Sequence, residues 1–301
     1  MSIVKSFSVD VGDMFYIKHN TDNFTVIDCC INDYNSNKIL NEILVQSKDK
    51  NIQRFISTHP DNDHIKGLTK FYDQVGINNF YCVANNAIKE DKTEDFQTYC
   101  SLRDNKKVAY NVYQGCKRKW MNESSQERDG AGINFVWPVL KNEEHLNALF
   151  QVENGKGYNN ISPIFTYGIK NSATFMWLGD IEHDFIEKIE HCIDWYPVDV
   201  LFAPHHGRDS GKIPQNILKK INPQLIVIGE APSEYLNYYS GYNTIKQNSA
   251  KDIVFECLYG TVNIYISADH YYHDTSFLHK ENDIDVDLGN YIGSFKTEID
   301  N

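Results

Sequence analysis

The chain reads as an α/β protein, and three observations carry that reading. Short apolar stretches with a period near two recur from residue 3 to residue 267, and several are followed by segments with apolar residues at i, i+3 and i+4. Polar turn segments separate the two kinds, as in a layered alternation of strand and helix. Three widely separated strand ends carry Asp or His: His59 with Asp61, Asp63 and His64; Asp180; and His205 with His206.

Residues 3–9, 14–18 and 24–27 form an opening meander, joined by Asp10-Val11-Gly12-Asp13 and by Asn20-Thr21-Asp22-Asn23. The meander ends at Asp28, which is either a turn residue or a support for a metal site. Ile39, Leu40, Ile43 and Leu44 predict a helix over 37–46. A buried strand over 52–57 follows, and it delivers Thr58-His59-Pro60-Asp61-Asn62-Asp63-His64-Ile65-Lys66-Gly67 at the start of a helix over 65–75.

A strand over 80–84 comes next. From about 85 to 132 the chain turns polar and irregular, with a helix over 93–102 and a basic, aromatic patch that includes Lys117, Arg118, Lys119 and Trp120. The patch is either a solvated face or a substrate-binding insertion in which cations meet phosphates and Trp120 stacks on a base.

Strands over 133–138, 164–169 and 173–178 flank an exposed helix over 141–150 that carries His145. A helix over 181–192, a strand over 198–203, a helix over 213–221 and strands over 225–228, 253–257 and 261–267 complete the pattern. We expect one domain over 1–280, containing the 85–132 insertion, and a loosely packed acidic tail over 281–301.

The composition narrows the class. Apolar residues make up 41% of the chain, enough for a packed core rather than disorder. The net charge of -12 disfavours a broad, nonspecific grip on nucleic acid but leaves room for a local basic groove. Seven cysteines, an odd count without a CxxC pair, argue against a disulfide framework. No segment nears the roughly 20 apolar residues of a membrane helix, and the start lacks a signal-peptide core. A cytoplasmic protein with no membrane partner is the expectation.

Asp10-Val11-Gly12, Ile27-Asp28, Thr58-His59-x-Asp61-x-Asp63-His64, Asn159-Asn160-x-Ser162, Leu178-Gly179-Asp180 and Pro204-His205-His206-Gly207 follow in order the motifs of the metallo-β-lactamase superfamily, which the chain resembles over about residues 3–268. The likeness is greatest to the branch that includes the hydrolase domain of ComEC-type competence proteins. It implies a four-layer αβ/βα sandwich with one or two divalent ions, zinc or manganese with magnesium admissible, at one edge. His59 and Asp61 would hold a first ion, Asp63 and His64 a second, and Asp180 would bridge.

One of His205 and His206 would complete the second site, and the motif does not separate them. His205 is assigned as the ligand and His206, with Asp63, to the catalytic group. Asp61 stands where most relatives have histidine, which shifts preference toward harder ions. No histidine occupies the family's central ligand position, and Asn160 and Ser162 appear in its place, Asn160 as a substrate-binding candidate.

The chemistry implied is hydrolysis by a metal-activated water. Arg208 is either a surface arginine or a clamp on a phosphate. A phosphodiester substrate is the leading expectation, whether DNA, RNA or a cyclic nucleotide. Hydrolysis of a nonphosphate ester or lactone, and a noncatalytic metal-poor binding or sensor module, are the alternatives.

Overall fold

The computed structural model describes residues 1–280 and 286–299. The meander is β1 (Ser2–Ser6), β2 (Phe15–Lys18) and β3 (Asn23–Ile27), followed by the two-residue β4 (Cys29–Cys30) and α1 (Ser36–Ser47). Then come β5 (Ile52–Ile56), α2 (Asn62–Ile65), α3 (Leu68–Val75), β6 (Phe80–Cys82), α4 (Glu94–Asp104) and β7 (Ala109–Asn111). A second run holds β8 (Ile133–Trp137), α5 (Glu143–Glu153), β9 (Ile164–Gly168), β10 (Thr174–Trp177), α6 (His183–Ile189), β11 (Val200–Phe202), α7 (Gln215–Ile221) and β12 (Leu225–Ile228). The chain closes with β13 (Thr244–Lys246), α8 (Gln247–Ala250), β14 (Ile253–Leu258), β15 (Thr261–Ile266) and β16 (Asn290–Lys296).

Among the described residues the strands form two sheets, ordered β16-β15-β14-β1-β2-β3-β5-β6-β7 and β13-β12-β11-β10-β9-β8. Strands β3, β5, β6 and β7 run parallel, as do β10, β11, β12 and β13. Every residue of β11 and β12 is buried, as expected where parallel strands are covered on both faces.

The layers follow from three apolar cores. One lies between the sheets, where Trp177 stacks on Phe202 at 4.8 Å and Phe15 meets Phe202 edge-on at 4.9 Å. A second packs Ile39, Leu40 and Ile43 of α1, Phe71 of α3 and Tyr99 of α4 on the first sheet. The third packs Ala148 and Val152 of α5, Ile186 of α6 and Ile217 and Leu218 of α7 on the second sheet. Helices, sheet, sheet, helices: the fold is a four-layer αβ/βα sandwich.

Several details depart from the sequence reading. The helix expected over 65–75 is broken at Gly67, whose φ of +76° and whose bare α-carbon beside Ile31 admit no side chain. The break lets α2 stop after one turn and aim its His64 inward. The polar stretch 85–132 is more regular than expected. Its α4 is capped by the Thr93 side chain on the Phe96 N–H at 3.2 Å, and β7 extends the first sheet in parallel register with β6.

The loose tail is corrected over Asn290–Lys296, which pair antiparallel with β15 as the edge strand β16; residues 281–285 and 300–301 of that expected tail lie outside the described residues. Trp177, which joins both sheets through the central core, is expected to cost about 3–5 kcal/mol on replacement by alanine, read by urea unfolding. A loss below about 1 kcal/mol would mean that the two sheets do not share that core.

Candidate metal centre

The parallel strands of both sheets end at the same edge, and the candidate residues sit on the turns that follow them, where α/β sheets commonly bind ligands. Asp28 follows β3, and Thr58 and His59 follow β5; Asp180 follows β10, and His205 and His206 follow β11.

Asp28 is fully buried and holds three groups. Its carboxylate accepts from the Thr58 N–H at 2.7 Å, the Thr58 hydroxyl at 2.6 Å and Nδ1 of His64 at 2.9 Å. Of the two readings of Asp28, the geometry matches the support for a metal site. Nε2 of His64 is thereby turned toward Asp180, 3.1 Å from its Oδ1.

His206 has the same arrangement. Its Nδ1 is 3.1 Å from Oδ1 of Asp13, and its Nε2 is 3.3 Å from both Asp63 Oδ2 and Asp180 Oδ2. Asp13, His64, Asp180 and His206 each bring one donor atom within 4.8 Å of the others.

Sequence reasoning missed Asp13, because what brings it here lies more than two hundred residues away. Glu230, just past β12, accepts from the Ser8 hydroxyl at 2.7 Å and the Asp10 N–H at 2.9 Å. The Asp13 N–H then donates to the Asp63 carbonyl at 3.2 Å. A side chain at Gly12 would sit 2.5 Å from that carbonyl, so glycine is needed for the approach. The motif Asp10-Val11-Gly12 is the signal that could have found it.

The exchange of roles at Pro204-His205-His206-Gly207 is the main correction. Both histidines take left-handed φ values, 53° and 55°, and the tight turn sends His206 inward. His205 stays at the rim with its side chain 16% exposed, Nδ1 at 2.8 Å from the Ser210 hydroxyl and Nε2 at 3.8 Å from Asp180 Oδ2. The geometry therefore groups His206, not His205, with Asp13, His64 and Asp180 as the residues that could hold an ion.

His59 and Asp61 form the other half. Nε2 of His59 is 3.8 Å from Asp61 Oδ2 and 4.0 Å from Asp180 Oδ2, and Ser162 supports its Nδ1 at 3.2 Å. Lys89, which sequence reasoning passed over inside the polar stretch, donates to Asp61 Oδ1 at 3.3 Å.

The residues fit a divalent cation on their own evidence. Nε2 of His59 is buried without a hydrogen-bond partner, and Nε2 of His64 and Oδ1 of Asp180, 3.1 Å apart, are buried with only each other to answer them, a costly state that an ion relieves. Burial works against charge on His64 and His206, yet Asp180 with Asp28 and Asp13 holds both imidazoles well above their ordinary pKa. Burial likewise works against the Asp180 carboxylate, but His206 and His64 hold it well below the carboxylate range. The cluster is thus rich in ionised carboxylate and calls for positive charge, which an ion meets more directly than protons.

Other expected residues go elsewhere. Asn160 is engaged by Glu182, donating to its carboxylate at 2.9 Å and accepting its N–H at 3.1 Å. Arg208 is beside His205, and its Nε is buried without a hydrogen-bond partner. His145, expected on an exposed helix, is 1% exposed and packs edge-on against Trp137 at 5.8 Å.

The basic patch is not at the metal centre. Arg118 is held between the rings of Tyr81 and Tyr110, at 4.9 and 4.7 Å, and donates to Asn79 at the N-terminal end of β6. The Trp120 carbonyl accepts from buried Arg54 of β5 at 2.9 Å. Lys117, Arg118, Lys119 and Trp120 therefore gather at the end of the first sheet opposite the centre.

No family model matches the chain, and no curated protein matches its sequence. Among solved structures it is similar to Igni18, a novel metallo hydrolase from the hyperthermophilic archaeon Ignicoccus hospitalis, at 12% identity and a TM-score of 0.47, over 85% of this chain and 99% of that one. It is also similar to a mutant of the CmlA beta-hydroxylase, at 10% identity and a TM-score of 0.46, over 84% of this chain and 53% of that one, so it spans about half the length of that protein. No helix among the described residues is long and apolar enough to cross a membrane.

Two outcomes test this geometry. Asp13→Asn is expected to weaken Mn²⁺ or Zn²⁺ binding about 10- to 100-fold in calorimetric titration, with an unchanged circular dichroism spectrum. Equal affinity in the variant would remove Asp13 from the centre. Joint replacement of exposed Lys117 and Lys119 by alanine is expected to leave metal affinity and turnover within about twofold of the parent, since neither nears the ligands. A tenfold fall in turnover would return the patch to the site.

Proposed function

We propose that the chain is a metal-dependent hydrolase acting on a phosphodiester bond. The observation that carries the metal part is the pair of buried histidines, His64 and His206, each oriented by a carboxylate through Nδ1 and presenting Nε2 toward Asp63 and Asp180. Asp63, His64, Asp180 and His206 would hold the ion. A divalent ion bound there supplies a Lewis acid and makes water acidic enough to give a nucleophile near neutral pH.

The chain's own groups do the rest. Asp13 and Asp28 fix the tautomers of His206 and His64. In this reading His205, at the rim, holds or moves a proton at Nε2 beside Asp180, and Arg208 next to it offers its forked donors to a phosphate oxygen. The likeness of the motifs to the ComEC-type branch supports phosphodiester chemistry. The net charge of -12 and the basic patch at the far end favour a nucleotide-sized substrate over a long nucleic acid.

The test is a panel of bis-p-nitrophenyl phosphate, a cyclic nucleotide, single- and double-stranded DNA, RNA and a lactone, run with Mn²⁺ and with Zn²⁺. Phosphodiester turnover is expected, and Asp180→Asn is expected to lower it beyond the roughly hundredfold that loss of an outer partner costs. Lactone turnover alone would replace the phosphodiester reading with an esterase. A purified chain that holds no metal and gains no activity from either ion would indicate a noncatalytic module.

A further inference from the structure

Asp61 stands where the resembled superfamily carries a histidine, and its partner in the structure is a lysine. Lys89 Nζ donates to Asp61 Oδ1 at 3.3 Å and to Asn62 Oδ1 at 3.2 Å. Its side chain is only 12% exposed, uncommon for a residue type that seldom leaves water.

The ammonium is held from several directions. It lies 4.9 Å from the ring centre of Tyr158 and 5.5 Å from that of Phe96. The preceding residue is pinned on both sides: the Ile88 N–H donates to the Val152 carbonyl at 3.1 Å, and the Ile88 carbonyl accepts from the Tyr158 hydroxyl. Asn86 is tied to Glu153 at 2.8 Å. Much of the conformational freedom a lysine ordinarily gives up on binding is already lost here.

The donor count leaves one bond open. An ammonium has three donors, and among the described residues Asp61 and Asn62 accept from it. Across Asp61, Nε2 of His59 is buried and unpartnered. A fixed positive charge beside one oxygen of Asp61 also opposes binding of a second divalent ion by that carboxylate.

We infer that Lys89 supplies the second positive charge of the centre, so that the chain holds one divalent ion and the Lys89 ammonium binds an anionic oxygen of the substrate. This rests on the proposed metal centre of Asp63, His64, Asp180 and His206. Lys89 stands where it can anchor a phosphate oxygen that two-ion hydrolases leave to their other metal.

Two measurements on the full chain test it. In equilibrium dialysis against Mn²⁺ read by elemental mass spectrometry, the parent and Asp61→Asn are each expected to hold one ion per chain. Two ions on the parent, or loss of the ion in Asp61→Asn, would overturn the role of Lys89 and leave the metal centre standing; no ion on the parent would overturn both.

In calorimetric titration of the Mn²⁺-loaded chain with inorganic phosphate, Lys89→Gln is expected to weaken binding about tenfold to a hundredfold, and Lys89→Arg to recover part of it. Mn²⁺ affinity should stay within about twofold in both variants, which a general loss of structure would not allow. Unchanged phosphate affinity in Lys89→Gln, or no phosphate binding by the parent, overturns the inference. If Lys89→Gln does not fold, the ion count of Asp61→Asn still decides it.

Discussion

The carboxylate of Asp28 is the constraint on which the centre depends. It is shut off from water between the end of β3 and the end of β5, where an ionised group survives only if its oxygens are satisfied. The Thr58 N–H, the Thr58 hydroxyl and His64 meet that need, and in doing so they fix the exit of β5 and the orientation of α2 together. Asp28 itself sits at a φ of +54°, a strained conformation for a residue with a side chain. Directly after it, β4 bridges to Ile65 and Lys66. One buried carboxylate thus ties the first sheet to the turn that carries Asp61, Asp63 and His64.

The second sheet reaches the same point by a different route. Asp180 and His206 follow β10 and β11, and each meets residues on the connections of the first sheet: Asp180 meets His64, and His206 meets Asp63 and Asp13. Carboxylates and imidazoles therefore alternate across the seam between the two halves. Burial alone would drive these groups toward their neutral forms. Their mutual field overrides that, keeping Asp180 ionised and drawing protons to His64 and His206. A divalent ion bound there would take the place of those protons, so metal and acid would compete for one pair of Nε2 atoms. An ion bound there would also fasten the two sheets at their shared edge.

The fold and most of the centre were legible in the sequence because both leave local marks. Parallel strands buried on both faces, such as Leu225–Ile228, read as continuous apolar runs, and a strand that ends in Asp or His stands out against them. Edge strands leave weaker marks: β7 and β16 contain polar positions and gain their form from pairing with β6 and β15, so they read as insertion and tail. Asp13 depends on Glu230, and a contact that distant has no local period. The basic patch misled because its composition suits a phosphate, whereas Tyr81, Tyr110 and Asn79 decide where Arg118 goes. His145 misled in the opposite sense, since its polar neighbours hid the face that packs on Trp137.

His205 and His206 show a limit of another kind. Adjacent residues on a turn differ in direction by their φ and ψ, not by their type, and two left-handed residues in succession are not expected from sequence. The same reasoning sharpens Asp61. Taken alone, an aspartate in place of a neutral imidazole adds a negative charge to a centre already crowded with them. With Lys89 bound to it, the pair is again neutral, as a histidine would be. What changes is the lone pair: an imidazole offers one to an ion, whereas a carboxylate engaged by an ammonium has less to offer and brings a hydrogen-bond donor instead. The Asp61 and Lys89 pair thus adds no net charge to the site and, in the one-ion reading proposed above, offers a hydrogen-bond donor where an imidazole would offer a ligand.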